Sequence, residues 1–286
     1  MRDQAEALRK KLFDREKTQS PKTLAVVSGK GGVGKSNFSL NFAISLSKNS
    51  HRVLLFDMDI GMGNIDILLG NSPRMTIIDF FEGNQNLKDI VMEGPCGLHY
   101  IAGGSGLNRL FKLNDELLGR FTDELTALLE HYEYVIFDMG AGASEESLKF
   151  ILSVDQIIVV TTPEPTSITD AYAMMKHIHM FNRDIPFDIL VNRAHSEKDG
   201  LDTFNRIRTV VKKFLDRDVK PLGIMPDDKA IQTAVLKQTP FLLLNERSAA
   251  SKALIKVTKR FEEQLFEEVN TQNHFVSKLK RFLFER

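Results

Sequence analysis

Short, nearly continuous apolar runs alternate along the chain with longer segments in which apolar residues recur every three or four positions. The runs at 23–28, 53–57, 98–101, 134–138, 156–162, 187–192 and 222–225 are rich in Val, Ile, Leu and Phe, and their length predicts strands. Segments 34–48, 114–130, 144–152, 168–181 and 202–215 carry the helical period, and a further helix is expected over 249–268. Strands without a polar face, such as Ile157-Ile158-Val159-Val160, suit a parallel sheet covered by helices on both sides. The rhythm therefore predicts an α/β fold, a doubly wound, mostly parallel sheet of about seven or eight strands. In such sheets ligands sit beyond the carboxyl ends of the strands. Four polar elements fall there: the loop 28–36, Asp57 with Asp59, Asp138, and Asn192.

Two tails flank the domain expected over 22–269. Residues 1–21 form a charged helix candidate that ends in the breaker Thr18-Gln19-Ser20-Pro21. Its few apolar positions cannot hold it to a core, so it reads equally as a frayed tail. Residues 270–286 open with the polar break Asn270-Thr271-Gln272-Asn273. Wound at about 100° per residue, the remaining segment gathers Phe275, Val276, Leu279, Phe282 and Leu283 on an arc of roughly 120°, with Lys278, Lys280 and Arg281 outside it. Such a basic amphipathic helix is expected to lie on an anionic membrane surface. A terminal helix packed on the core would show the same pattern.

Composition narrows the partners. The 286 residues carry 38 basic and 38 acidic side chains, so no global field draws the chain to nucleic acid, and none is expected as a partner. The single cysteine, Cys96, excludes an intramolecular disulfide and an all-cysteine metal site. It is expected to be buried or inert in the turn around Gly94-Pro95. The start MRDQAEALRKK lacks the apolar core of a secretory signal, and no run of about 18 apolar residues occurs. A cytoplasmic location is expected.

The segment Ser28-Gly29-Lys30-Gly31-Gly32-Val33-Gly34-Lys35-Ser36 comes directly after the first strand and matches the phosphate-loop spacing G-x-x-x-x-G-K-[ST]. Glycines let backbone N–H groups turn inward around phosphate oxygens, and the helix that starts there adds its positive end. Lys35 is placed to reach the β- and γ-phosphates and Ser36 to offer its hydroxyl to Mg²⁺, which makes ATP and Mg²⁺ the expected cofactors. Tyr134-Val135-Ile136-Phe137-Asp138 is an apolar strand ending in a carboxylate suited to the same Mg²⁺ site, with Gly140, Ala141 and Gly142 just beyond it. The run from Asp57 to Asp66 is not a calcium loop, because Leu68 stands where that loop needs glutamate. Asp59 could equally cap a helix. The methionines and histidines of 174–180 read as core methionines beside exposed histidines, since residues two apart leave a helix on different faces.

The second loop lysine makes Lys30-Gly31-Gly32-Val33-Gly34-Lys35-Ser36 resemble the deviant Walker A motif of the MinD/ParA superfamily of dimerising ATPases. The resemblance covers about residues 22–265. It implies that Lys30 reaches across a homodimer to the partner's phosphates, as an arginine finger does. It also implies that Asp59 positions the attacking water while Asp57 supports it, that residues 140–142 are switch II, and that Asn192, Arg193 and Pro226 surround the adenine. An Asn can both donate and accept, as adenine's edge requires, although a turn would also use one. No N-K-x-D sequence occurs, so ATP is favoured over GTP. Asn37 stands where these ATPases usually carry threonine.

The N-terminal run Asp3-Gln4-Ala5-Glu6-Ala7-Leu8-Arg9 is similar to that of the flagellar MinD-like ATPases, the FlhG (FleN, YlxH) family. That similarity implies slow ATP hydrolysis and control of flagellar number and placement. It implies residence at the inner face of the membrane in the ATP state, and flagellar basal-body partners. Asp3, Gln4, Leu8 and Arg9 would activate the flagellar signal-recognition-type GTPase FlhF. The superfamily alone would also accommodate a MinD-type septum-site or ParA-type DNA segregation ATPase.

Overall fold

The computed structural model describes residues 20–59, 64–73, 75–82, 85–103, 115–142, 145–267 and 275–284. The motif at Asp3, Gln4, Leu8 and Arg9 lies outside them. In chain order the elements are β1 (Lys22–Ser28), α1 (Lys35–Lys48), β2 (Val53–Met58), α2 (Ile65–Leu69), α3 (Ile77–Phe81), β3 (Met92–Glu93), β4 (His99–Ile101), α4 (Asp115–Leu129) and β5 (Tyr134–Ala141). The second half holds α5 (Glu145–Ser153), β6 (Gln156–Thr161), α6 (Pro165–Phe181), β7 (Phe187–Ala194), α7 (Glu197–Leu215), β8 (Lys220–Pro226), α8 (Lys229–Leu236), α9 (Phe241–Leu244), α10 (Ala249–Glu267) and α11 (Phe275–Phe284).

One sheet of eight strands runs β3-β4-β2-β5-β1-β6-β7-β8. Its neighbours are parallel except β3 and β4. All six residues of β2 and of β6 are buried, as strands covered on both faces must be. On one face Phe121, Phe150, Met175 and Ile207 of α4–α7 share a core with Phe56 and Phe137 of the sheet. On the other, Phe42 of α1 and Leu254 and Phe261 of α10 share a core with Leu55, Ile136 and Ile158. Helix α1 is wedged between the sheet and α10, so Phe38, Leu40, Phe42, Ile44 and Leu46 are all buried and its amphipathicity is weak.

The expected strands and long helices all form, and the structure adds β3 and the short helices α2, α3, α8 and α9. These carry too few residues to show a period. Two expectations change. Cys96 is exposed, in a left-handed turn at φ 59°. Of the methionines at 174–180, Met174 and Met175 are buried but Met180 is exposed, because it stands two residues past the buried Ile178 and so leaves α6 on the outer face.

The C-terminal segment also differs from a free-standing unit. Phe275, Leu279 and Leu283 of α11 are buried in the same core as α4 and α5, with Val276 and Phe282 packed beside them. Phe275 stacks on Phe137 of β5 at 5.0 Å. Each buried side chain contributes about 1.5–3 kcal/mol, whereas the exposed pair of Lys280 with Asp123 at 2.7 Å adds at most about 1 kcal/mol. The apolar seam therefore holds α11. The arc expected to meet a membrane is turned inward here, because α4 and α5 leave an apolar groove that fits it.

Candidate nucleotide-binding site

The loop between β1 and α1 is shaped by close approaches that leave no room for side chains. A Cβ on Gly29 would stand 2.1 Å from the carbonyl oxygen of Asp170 in α6. Gly34 has φ +90°, and a Cβ there would stand 2.4 Å from Nδ2 of Asn192. Asn192, at the end of β7, donates from that nitrogen to the Val33 carbonyl at 2.8 Å and is buried. Its amide thus braces the loop at the edge of the cavity described below. Gly31 and Gly32 are exposed at the loop's crest.

Inside the loop, Lys35 Nζ donates to Asp138 Oδ1 at 2.9 Å, and both groups are buried. Ser39 Oγ donates to the same oxygen at 2.8 Å. The other carboxylate oxygen, Oδ2, is buried without a hydrogen-bond partner. A buried carboxylate oxygen without a partner and the half-buried hydroxyl of Ser36, next in sequence to Lys35, are the donor types that a hard, oxygen-seeking cation such as Mg²⁺ takes, often through water. The residues present therefore fit the ion.

Parallel pairing of β2 with β5 sets Asp57 directly opposite Asp138. Burial, and then the Asp138 carboxylate, push the Asp57 carboxyl up to about 7. Backbone N–H groups of Asp59, Asn64 and Ile65 oppose the shift by donating to it at 3.1, 2.9 and 3.2 Å. Asp57 thus folds its own strand end into shape, as a supporting carboxylate should. Asp59 is half-buried, accepts a bond from Asn64 Nδ2 at 3.3 Å, and abuts Gly140. Asn64, not Asp59, stands at the N-cap of α2. Residues 60–63 lie outside the described residues. Strand β5 continues through Gly140 to Ala141, which pairs with Ser28, and Gly142 comes next at φ +81°. Asp59, the loop and residues 140–142 therefore meet on one rim.

Lys30 points away from its own loop. Its Nζ lies 2.9 Å from Glu164 Oε2 and 3.3 Å from Thr166 Oγ1, at the start of α6. That contact, by hydrogen bond and by charge, holds the Glu164 carboxyl below its usual range. Beside the loop opens a cavity of about 910 Å³, lined among others by Asn37, Asn192, Arg193, Met225, Asp227 and Gln232. That volume lies in the range that takes a nucleotide-sized ligand. Pro226 is not on its wall; it is paired with Ala194 in the sheet, and its neighbours Met225 and Asp227 face the cavity. Arg193 adopts φ +54°, which turns the chain at the cavity's edge. Asn37 accepts from Asn41 Nδ2 through its carbonyl at 2.8 Å and its Oδ1 at 3.3 Å, so its side chain is tied into α1.

A family model of the CobQ/CobB/MinD/ParA nucleotide-binding domain matches residues 24–241. The chain belongs to this family. Its relatives include the antiactivator FleN of Pseudomonas aeruginosa, 33% identical over 84% of this chain and 85% of its own, and the flagellum site-determining protein YlxH of Helicobacter pylori, 38% identical over 71% and 68%. Among solved structures, the septum site-determining protein MinD of Pyrococcus horikoshii complexed with Mg-ADP superposes with a TM-score of 0.67 at 21% identity, over 87% of this chain and 100% of that one. ATP and Mg²⁺, the cofactors read from the loop, are those of the MinD/ParA family.

Sequence reasoning missed Glu164, Thr166, Ser39 and Asn41. Ser39 stands one turn past Lys35, and Asn41 one turn past Asn37 on another face of α1, a signal that helical spacing could have given. Glu164 lies 134 residues from Lys30, and only the fold joins them.

Proposed function

We propose that the chain is an ATP-switched, dimerising regulator of flagellar number and placement that hydrolyses ATP slowly. The observation that carries this reading is Lys30. It belongs to the loop yet lies on the surface, held by an exposed glutamate and a threonine, where it can serve a second copy of the site. Lys35 and the loop amides hold phosphates, Ser36 and Asp138 hold Mg²⁺, and Asp59 orients water against residues 140–142. Mg²⁺, when bound, neutralises phosphate charge. The Lys35–Asp138 pair is the resting form of a site in which that lysine must turn to phosphate. Likeness to an antiactivator, FleN, and to a flagellum site-determining protein, YlxH, supports the flagellar assignment.

In this reading the docked α11 is a stored anchor. Dimerisation releases it to an anionic membrane, while Gln4, flanked by Asp3, Leu8 and Arg9, enters the active site of FlhF. Two copies on one dimer bind more tightly than one through effective concentration. Vesicle co-sedimentation with ATP or ADP, using the full chain and one ending at Asn273, tests the anchor. Pelleting only of the full chain, and chiefly with ATP, is expected; equal pelleting of all four samples, or of none, refutes it. Light scattering with ATP tests the dimer, and a monomer at all ATP concentrations refutes the switch.

A further inference from the structure

Helix α10 carries a second feature that the nucleotide site does not use. Its buried side, Leu254, Val257 and Phe261, packs against β8 and α1. Its outward arc, at helical spacing, presents Lys252, Ile255, Lys256, Lys259, Arg260 and Glu263, all exposed. Four of these six are cations, spread over about 12 Å of helix. Lys259 makes only a loose 3.8 Å contact with Glu263. Among the described residues, no carboxylate pairs with Lys252, Lys256 or Arg260. The nearby carboxylates are engaged elsewhere: Glu246 with Lys48, and Glu262 with His51 and Asn49. In a chain of zero net charge this is a local concentration of unneutralised cations around an exposed isoleucine.

We infer that this face of α10 is a second membrane contact, which takes the headgroups of anionic phospholipids. The inference rests on the membrane reading above. Charge complementarity favours it, Ile255 supplies an apolar tip among the lysines, and the chain's continuation supplies proximity. Only residues 268–274 separate α10 from α11, a span of at most about 25 Å when extended. An α11 seated in a bilayer therefore holds the basic face of α10 within reach of the same surface, at high effective concentration. An amphipathic helix alone gives reversible binding, and a basic patch is the second signal that prolongs it.

The test compares the full chain with the variant K252Q/K256Q/R260Q, and with its K252E/K256E/R260E counterpart, by co-sedimentation with ATP. Vesicles rich in phosphatidylglycerol and vesicles of phosphatidylcholine alone are used. The glutamine variant is expected to bind the anionic vesicles about a hundredfold more weakly, and the glutamate variant more weakly still. Both should bind the neutral vesicles as the unaltered chain does, with unchanged melting temperature and ATP turnover. Undiminished binding of both variants to anionic vesicles, while the chain ending at Asn273 fails to bind, overturns the α10 contact and leaves the anchor standing. Absence of binding by the full chain itself overturns both. Loss of duplex DNA retention in the variants, with vesicle binding intact, reassigns the face to nucleic acid and overturns the lipid partner.

Discussion

Replacing Asp57 by Asn probes the physical basis of the site most directly. The folded chain holds the Asp57 proton up to about pH 7, whereas a free aspartate ordinarily releases it at 3.8. Between these values the folded state binds a proton that the unfolded chain has released, so stability falls as pH rises. Each pH unit in that window removes about 1.4 kcal/mol, and the titration curves integrate to about 2 kcal/mol lost between about pH 5 and pH 7. An asparagine at this position cannot titrate, but its NH₂ must face one of the three backbone N–H donors, at a loss of about 1–3 kcal/mol. Asp57→Asn should therefore be less stable than the native chain near pH 5, and the gap should close by about 2 kcal/mol towards pH 7. Urea unfolding of the nucleotide-free protein across that range measures it. A gap that stays constant within about 0.5 kcal/mol refutes the claim that folding buries the Asp57 carboxyl beside Asp138.

The geometry sets four further outcomes. Lys30→Ala should leave stability within about 0.5 kcal/mol but lower ATP turnover by about a thousandfold or more; retained phosphate release would exclude a role in the partner's site. Glu164→Gln should free Lys30 and raise the dimer fraction at low ATP, measured by light scattering, and an unchanged fraction would show that Glu164 does not restrain it. Asn192→Ala leaves the Val33 carbonyl unpaired, so ATP affinity by calorimetry should fall about five- to a hundredfold; equal affinity would remove Asn192 as the loop's brace. Leu279→Asp should expose the amides of α11 to hydrogen exchange, while Asp123→Lys, which costs at most about 1 kcal/mol, should leave them largely protected. Equal protection in both variants would contradict an apolar seam as the force that docks the helix.

The parallel sheet was legible because buried strands need runs such as Ile157-Ile158-Val159-Val160, and the phosphate loop because its glycines, Lys35 and Ser36 are contiguous. Such features arise from local backbone chemistry and show in any window that contains them. The short helices α2, α3, α8 and α9 were not legible, since one or two turns carry no measurable period. The resemblance placed Asn192, Arg193 and Pro226 around a base; Asn192 and Arg193 line the cavity, whereas Pro226 sits in the sheet. Whether a side chain at a strand end faces the cavity, the loop or the sheet depends on what packs beside it.

By itself the sequence determined the βαβ order, the phosphate-loop spacing and the amphipathic pattern of the last helix, because each is written in neighbouring residues. Tertiary structure alone decided three things: that Glu164 holds Lys30, that Asp57 and Asp138 share a buried space, and that Phe275, Leu279 and Leu283 enter the core. An apolar stripe records only that a helix buries a face. Which surface receives it is set by the groove that α4, α5 and β5 leave open, and no run of residues contains that groove.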